Sequence, residues 1–151
     1  MNLITPLLTL ANVQAECETT SKKRLFEQAA QLVQSSQDVP ANEVFDSLFS
    51  REKLGSTALG YGIAIPHGRI KYLQETACAF LRLKTAIDFD APDGLPVDLV
   101  FVLLAPAAAT DVHLQILGEL AAMFSDENFR ASLRAAPDAA ALHRLISEWT
   151  A

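Results

Sequence analysis

Residues 98–106 read DLVFVLLAP, and after the aspartate no polar side chain interrupts them. The run is far too short to span a bilayer and lacks helical periodicity, so it reads as a strand. A strand apolar on both faces must lie in the centre of a sheet covered on both faces. The rest of the chain therefore has to supply further strands and two covering layers.

Helical periodicity provides the layers. In TSKKRLFEQAAQLVQSS, Leu25, Ala29 and Leu32 recur at helical spacing beside Phe26, Ala30 and Val33, with Thr20 or Ser21 as cap. VPANEVFDSLFSREKLG places Val44 and Leu48 on one face with Phe45 and Phe49, Pro40 in the first turn and Gly55 as the C′ residue. A helix from about Val112 to Ser125 carries Ile116, Leu117, Leu120, Met123 and Phe124 inward. A shorter one follows over NFRASLRAA, and the last has Leu142, Leu145, Ile146 and Trp149 inward.

Further strands are expected over STALGYGIAIP, over TACAFLRLK with Ala77, Ala79, Leu81 and Leu83 on one face, and over AIDF as a short edge. Asp93-Gly94 marks a turn. The expected fold is an α/β three-layer sandwich: a small mixed sheet of about five strands with helices on both faces, in one domain over residues 1–151.

Composition narrows the function. The 151 residues carry a formal net charge of -6 and no basic run longer than Lys22-Lys23-Arg24, which argues against nucleic acid as the principal partner. No segment approaches a membrane span, and the apolar start lacks a basic n-region, so no membrane insertion and a cytoplasmic location are expected. Cys17 and Cys78 are far apart in sequence and read as ordinary buried thiols.

Against that background GIAIPHGRIK stands out. Period 2 points Tyr61, Ile63 and Ile65 one way and Gly60, Gly62 and Ala64 the other; Pro66 then ends the ladder, leaving His67 beside Gly68 at an uncrowded strand exit. Arg51 closes the second helix, His113 falls in the first turn of a later one, and Ser56 and Thr57 offer hydroxyls at the helix–strand junction. Each also has a plain structural reading: a solvated helix end, a surface histidine, turn formers. His143 reads as a helix surface residue.

Taken together the group suits phosphoryl chemistry. A neutral imidazole nitrogen, with an ordinary pKa of about 6.5, can attack phosphorus. A guanidinium and a second N–H donor would meet the charge spreading over the equatorial oxygens. There is no GxxxxGK[ST] or GxGxxG, so phosphate would arrive on another protein rather than as nucleotide. A metal-dependent hydrolase using His67 and His113 is an alternative, although no carboxylate stands at convincing ligand spacing to His67. A binding module working in its unmodified form is another.

SREKLGSTALGYGIAIPHGRI resembles the signature of the EIIA proteins of the bacterial phosphotransferase system, fructose/mannitol type. The likeness continues through AIDFDAPDGLPVDLVFVLLAP and HLQILGELA, from about residue 3 to about residue 148. With SKKRLFEQAAQLV and the free-standing length, it is most similar to the nitrogen-regulatory branch of that family. The resemblance implies that His67 accepts a phosphoryl group on Nε2, that Arg51 binds it, and that His113 lines the pocket; by their positions Ser56 and Thr57 are added as residues that would orient the phosphate pocket, and Gly68 as its uncrowded margin. It implies an HPr-type phosphocarrier as donor, no metal or other cofactor, no independent small-molecule turnover, and control of target proteins that the sequence does not identify. The chain carries no EIIB or EIIC segment up to Ala151, which fits a regulatory endpoint; a sugar-specific EIIA serving a separate EIIB is the alternative.

Overall fold

A computed structural model describes residues 2–71, 73–108 and 110–150. Its described strands are β1 (Val13–Cys17), β2 (Ala58–Gly60), β3 (Ile63–Ala64), β4 (His67–Ile70), β5 (Ala77–Ile87) and β6 (Val97–Pro106). Its helices are α1 (Lys22–Gln37), α2 (Ala41–Glu52), α3 (Thr110–Ser125), α4 (Glu127–Ala135) and α5 (Ala139–Glu148). The sheet runs β1-β5-β6-β3-β2, with β4 also paired to β6. β5 and β6 are antiparallel; β1 on β5, and β3 and β4 on β6, are parallel.

The apolar run is central as expected, since β6 has partners along both edges and Leu99 to Ala105 are fully buried. Two apolar clusters lie on opposite faces of the sheet. Ala77, Ala79, Leu81 and Leu83 of β5 join α1 and α2 through Leu25, Phe26, Val44 and Leu48. Cys78 and Phe80 join α3, α4 and α5 through Leu120, Phe124, Leu133, Leu142 and Ile146. The alternation of β5 thus separates the two layers, and the sandwich is the one the sequence predicts.

Several details differ from the sequence reading. The expected strand over residues 56–66 is a hairpin: β2 and β3 are antiparallel, and Tyr61 and Gly62 between them both have positive φ, 57° and 80°. That is type I′ geometry, which Asn-Gly usually signals; a tyrosine at the first position disguised it. AIDF is no separate edge strand, because β5 continues to Ile87. β1, absent from the sequence reading, lies parallel to β5 with a register shift near Glu16, whose φ is 55°. Pro40 is the N-cap of α2 rather than a first-turn residue, and Lys53, not Gly55, follows the helix directly. Ser21 caps α1, accepting from the Arg24 N–H at 3.1 Å.

Pro66 does not end the ladder. Ile63 pairs with Leu99 and His67 with Leu103, the same offset of 36 residues on either side of it. The proline withholds one donor, yet its carbonyl accepts from the Leu103 N–H at 2.9 Å and pairing resumes in register. His67 therefore opens β4 instead of leaving a finished strand.

Candidate functional site

β4 has a single described neighbour, β6, so its other side is an open sheet edge. Alternation along β4 directs His67 and Arg69 to the α3 face and Gly68 and Ile70 to the α2 face. Ile70 accordingly joins the α1–α2 cluster, while Ile63 and Ile65 of the same line join the α3 cluster. At Gly68 α2 packs directly against the strand. A Cβ there would lie 2.1 Å from Ser47 Oγ and 3.1 Å from the Ser47 carbonyl oxygen. The missing side chain lets the helix lie against the strand and bring its last turn, with Arg51, to the sheet edge.

The result is an open cavity of ≈ 540 Å³ whose lining includes Arg51, Leu54, His67, Gly68, Arg69 and His113. The His67 and His113 rings face each other at 6.0 Å between centroids. His67 Nδ1 lies 2.8 Å from the Ile65 carbonyl oxygen. A carbonyl can only accept, so Nδ1 carries the proton and Nε2 of the neutral ring holds a free lone pair.

His113 is buried, and its Nδ1 has no hydrogen-bond partner. An orphaned acceptor is tolerated more readily than an orphaned donor, which favours the tautomer with the proton on Nε2. Burial first, then the charges of His67 and Arg69, push its protonation below the ordinary histidine value. It is thus a neutral N–H donor near neutral pH.

Arg51 donates from Nη1 to the Gly55 carbonyl at 2.9 Å. Arg69 donates from Nη1 to the Ala107 carbonyl at 2.9 Å, and its own carbonyl accepts from Ser47 Oγ at 3.0 Å. Among the described residues no carboxylate lines the cavity and neither guanidinium makes an ion pair.

The sequence candidates thus divide. His67, Arg51, His113 and Gly68 meet in one cavity. Ser56 and Thr57 do not line it. The Ser56 hydroxyl donates to the Phe89 carbonyl at 2.7 Å, and the buried Thr57 hydroxyl donates to Glu52 at 2.6 Å. Glu52 also accepts the Thr57 N–H and the Lys22 ammonium, at 3.1 and 2.9 Å, so these residues brace the loop after α2. His143 is no free surface residue, since its Nε2 lies 2.9 Å from the Leu8 carbonyl. Arg69 was missed by sequence reasoning; its only signal was its place two residues beyond His67, on the same face of a strand.

Fold and site together define a class: an α/β sandwich in which a histidine opens a strand at the sheet edge and lines one cavity with two arginines and a second histidine. The chain belongs to the EIIA 2 family of the phosphoenolpyruvate-dependent sugar phosphotransferase system, whose family model matches residues 6–149. It is 47% identical over 147 residues to a nitrogen regulatory protein of Pseudomonas aeruginosa, covering 95% of this chain and 92% of that one. Its fold superposes with a TM-score of 0.91 on the crystal structure of the nitrogen regulatory protein IIA-Ntr from Neisseria meningitidis, 43% identical, over 96% of this chain and 99% of that one. IIA mannitol from Escherichia coli shares the fold with a TM-score of 0.78 at 22% identity, over 92% of this chain and 98% of that one. No helix among the described residues is long and apolar enough to cross a membrane.

Proposed function

We propose that the chain is a cytoplasmic, phosphoryl-accepting regulatory component of a phosphoenolpyruvate-dependent relay, a single EIIA type-2 domain phosphorylated on Nε2 of His67 by an HPr-type carrier. Its phosphorylation state then controls other proteins. The observation that supports this reading is the 2.8 Å contact of His67 Nδ1 with the Ile65 carbonyl, which leaves the Nε2 lone pair available on a ring lining an open cavity with no carboxylate among its described lining residues.

The Nε2 lone pair forms the new P–N bond while the P–N bond to the donor's phosphohistidine breaks, and the donor nitrogen keeps that electron pair. The His67 ring becomes cationic, and the Ile65 carbonyl holds its Nδ1–H through the transfer. Arg51 meets the equatorial charge with its free N–H groups, and His113 adds an Nε2–H. The resemblance to nitrogen regulatory proteins supports the regulatory role over sugar transport.

The test is incubation with phosphoenolpyruvate, enzyme I and an HPr-type carrier, read by intact mass and peptide mapping. One acid-labile, alkali-stable phosphoryl group on the His67 peptide is expected, and none on a folded His67→Gln variant. Full labelling of that variant, or none of the wild type, overturns the proposal. Onward transfer to an EIIB protein would replace the regulatory role with sugar transport.

A further inference from the structure

We propose that Arg69 is a second phosphate-binding residue of the His67 site, gripping the phosphoryl group from the α3 side of the sheet while Arg51 reaches it from the α2 side. The inference rests on the relay reading above and adds a residue to it.

The register of β4 carries the argument. His67 pairs with Leu103 and Arg69 with Ala105, so the two side chains rise from the same face, one pleat repeat apart. Both line the ≈ 540 Å³ cavity, and His113 borders it from α3 on that same side. The charge of Arg69 also acts on His113, behind burial and the neighbouring His67, in disfavouring its protonation.

Arg69 is not otherwise employed as a charge. It makes no ion pair among the described residues, in a chain of net charge -6. Its one described side-chain bond, from Nη1 to the Ala107 carbonyl, uses one of five guanidinium N–H groups and anchors the fork without filling it. A phosphoryl group in transfer spreads negative charge over three equatorial oxygens. Arg51 and the His113 Nε2–H approach from two directions, and Arg69 supplies the third.

The bland role for Arg69 is to tie the β6–α3 junction through Ala107. Arg69→Gln and Arg69→Lys variants of the chain separate the two. With the carrier as donor, Arg69→Gln is expected to accept phosphate about tenfold more slowly, the scale of a lost charge-assisted donor, and Arg69→Lys to recover part of the rate.

A tether would not move the ionisation of the phosphoryl group itself. In a ³¹P NMR titration of the phosphorylated chain, loss of an adjacent cation shifts the second ionisation, ordinarily at about pH 6, to higher pH. Arg69→Gln chains that match the wild type in rate and in this titration overturn the proposal.

If the wild type takes no label, the relay reading fails separately. Arg69 is then judged by inorganic phosphate titrated against the Gly68 amide resonance: a wild-type shift reduced in Arg69→Gln sustains the assignment, and equal shifts, or none in the wild type, end it.

Discussion

His113 places an ionisable ring where its charged form is unwelcome. It is buried, its Nδ1 lacks a partner, and His67 and Arg69 add to the bias against protonation. Between its lowered folded value and the ordinary value of about 6.5, the unfolded chain binds more protons than the folded one. The neutral ring's contribution is therefore fully present above about pH 6.5 and fades as pH falls below it. Urea midpoints are expected to drop between pH 7.5 and pH 5 in the wild type, with a smaller drop in His113→Gln; equal slopes would count against this. The sequence offered His67, Arg51 and His113 because each stands at a recognisable point: a Pro-Gly bracket, a helix's last turn, a helix's first turn. Arg69 lacked such a marker, since its importance lies in a strand register that a sequence does not display. Ser56 and Thr57 misled for the opposite reason: hydroxyls beside a site look available until the carbonyl of Phe89 and the carboxylate of Glu52 are found holding them.

Elements meet at the site through one close approach, α2 on β4 at Gly68. Substituting Gly68→Ala sets a methyl group 2.1 Å from Ser47 Oγ and 3.1 Å from a backbone oxygen, so the hydroxyl must turn away and the Ser47 backbone must yield slightly. A loss of about 1–3 kcal/mol is expected, the ordinary range for overpacking. The double variant Ser47→Ala/Gly68→Ala should recover only part of it, because the backbone contact survives; chemical denaturation measures both. Full recovery would show that the hydroxyl alone sets the spacing. The long elements were legible because their periodicity is unbroken: α1 by Leu25 and Ala29, β5 by its alternation, β6 by its continuous apolar run. The short ones were not. The Tyr61-Gly62 turn hid inside a strand-like stretch, and β1 is five residues at the sheet's margin with a left-handed Glu16 that spoils its alternation. Pro66 read as a stop because a sequence shows the missing N–H but not the partner strand that continues past it.

At the scale of the whole molecule, the first residues fasten onto the last helix. The Asn2 amide donates to the carbonyls of Ile146 and Trp149 at 2.8 and 2.9 Å, its oxygen accepts from Ile4 and Thr5, and the Thr5 hydroxyl bonds the Ser147 carbonyl at 2.9 Å. Asn2→Ala leaves these carbonyls at the end of α5 without their donor and the Ile4 and Thr5 N–H groups without their acceptor, and a loss of about 1–3 kcal/mol is expected. The melting temperature should fall while phosphoryl acceptance holds, since neither Asn2 nor α5 lines the His67 cavity; a parallel loss of acceptance would contradict this. The three-layer plan itself was legible from the demand that DLVFVLLAP be covered on both faces, whereas the knot between the chain ends joins residues more than 140 apart and leaves no local trace. The edge position of β4 reaches further than the chemistry of one imidazole. Whatever binds in that gap rests on both helical coats at once, so its arrival and departure are felt on the front and the back of the protein together.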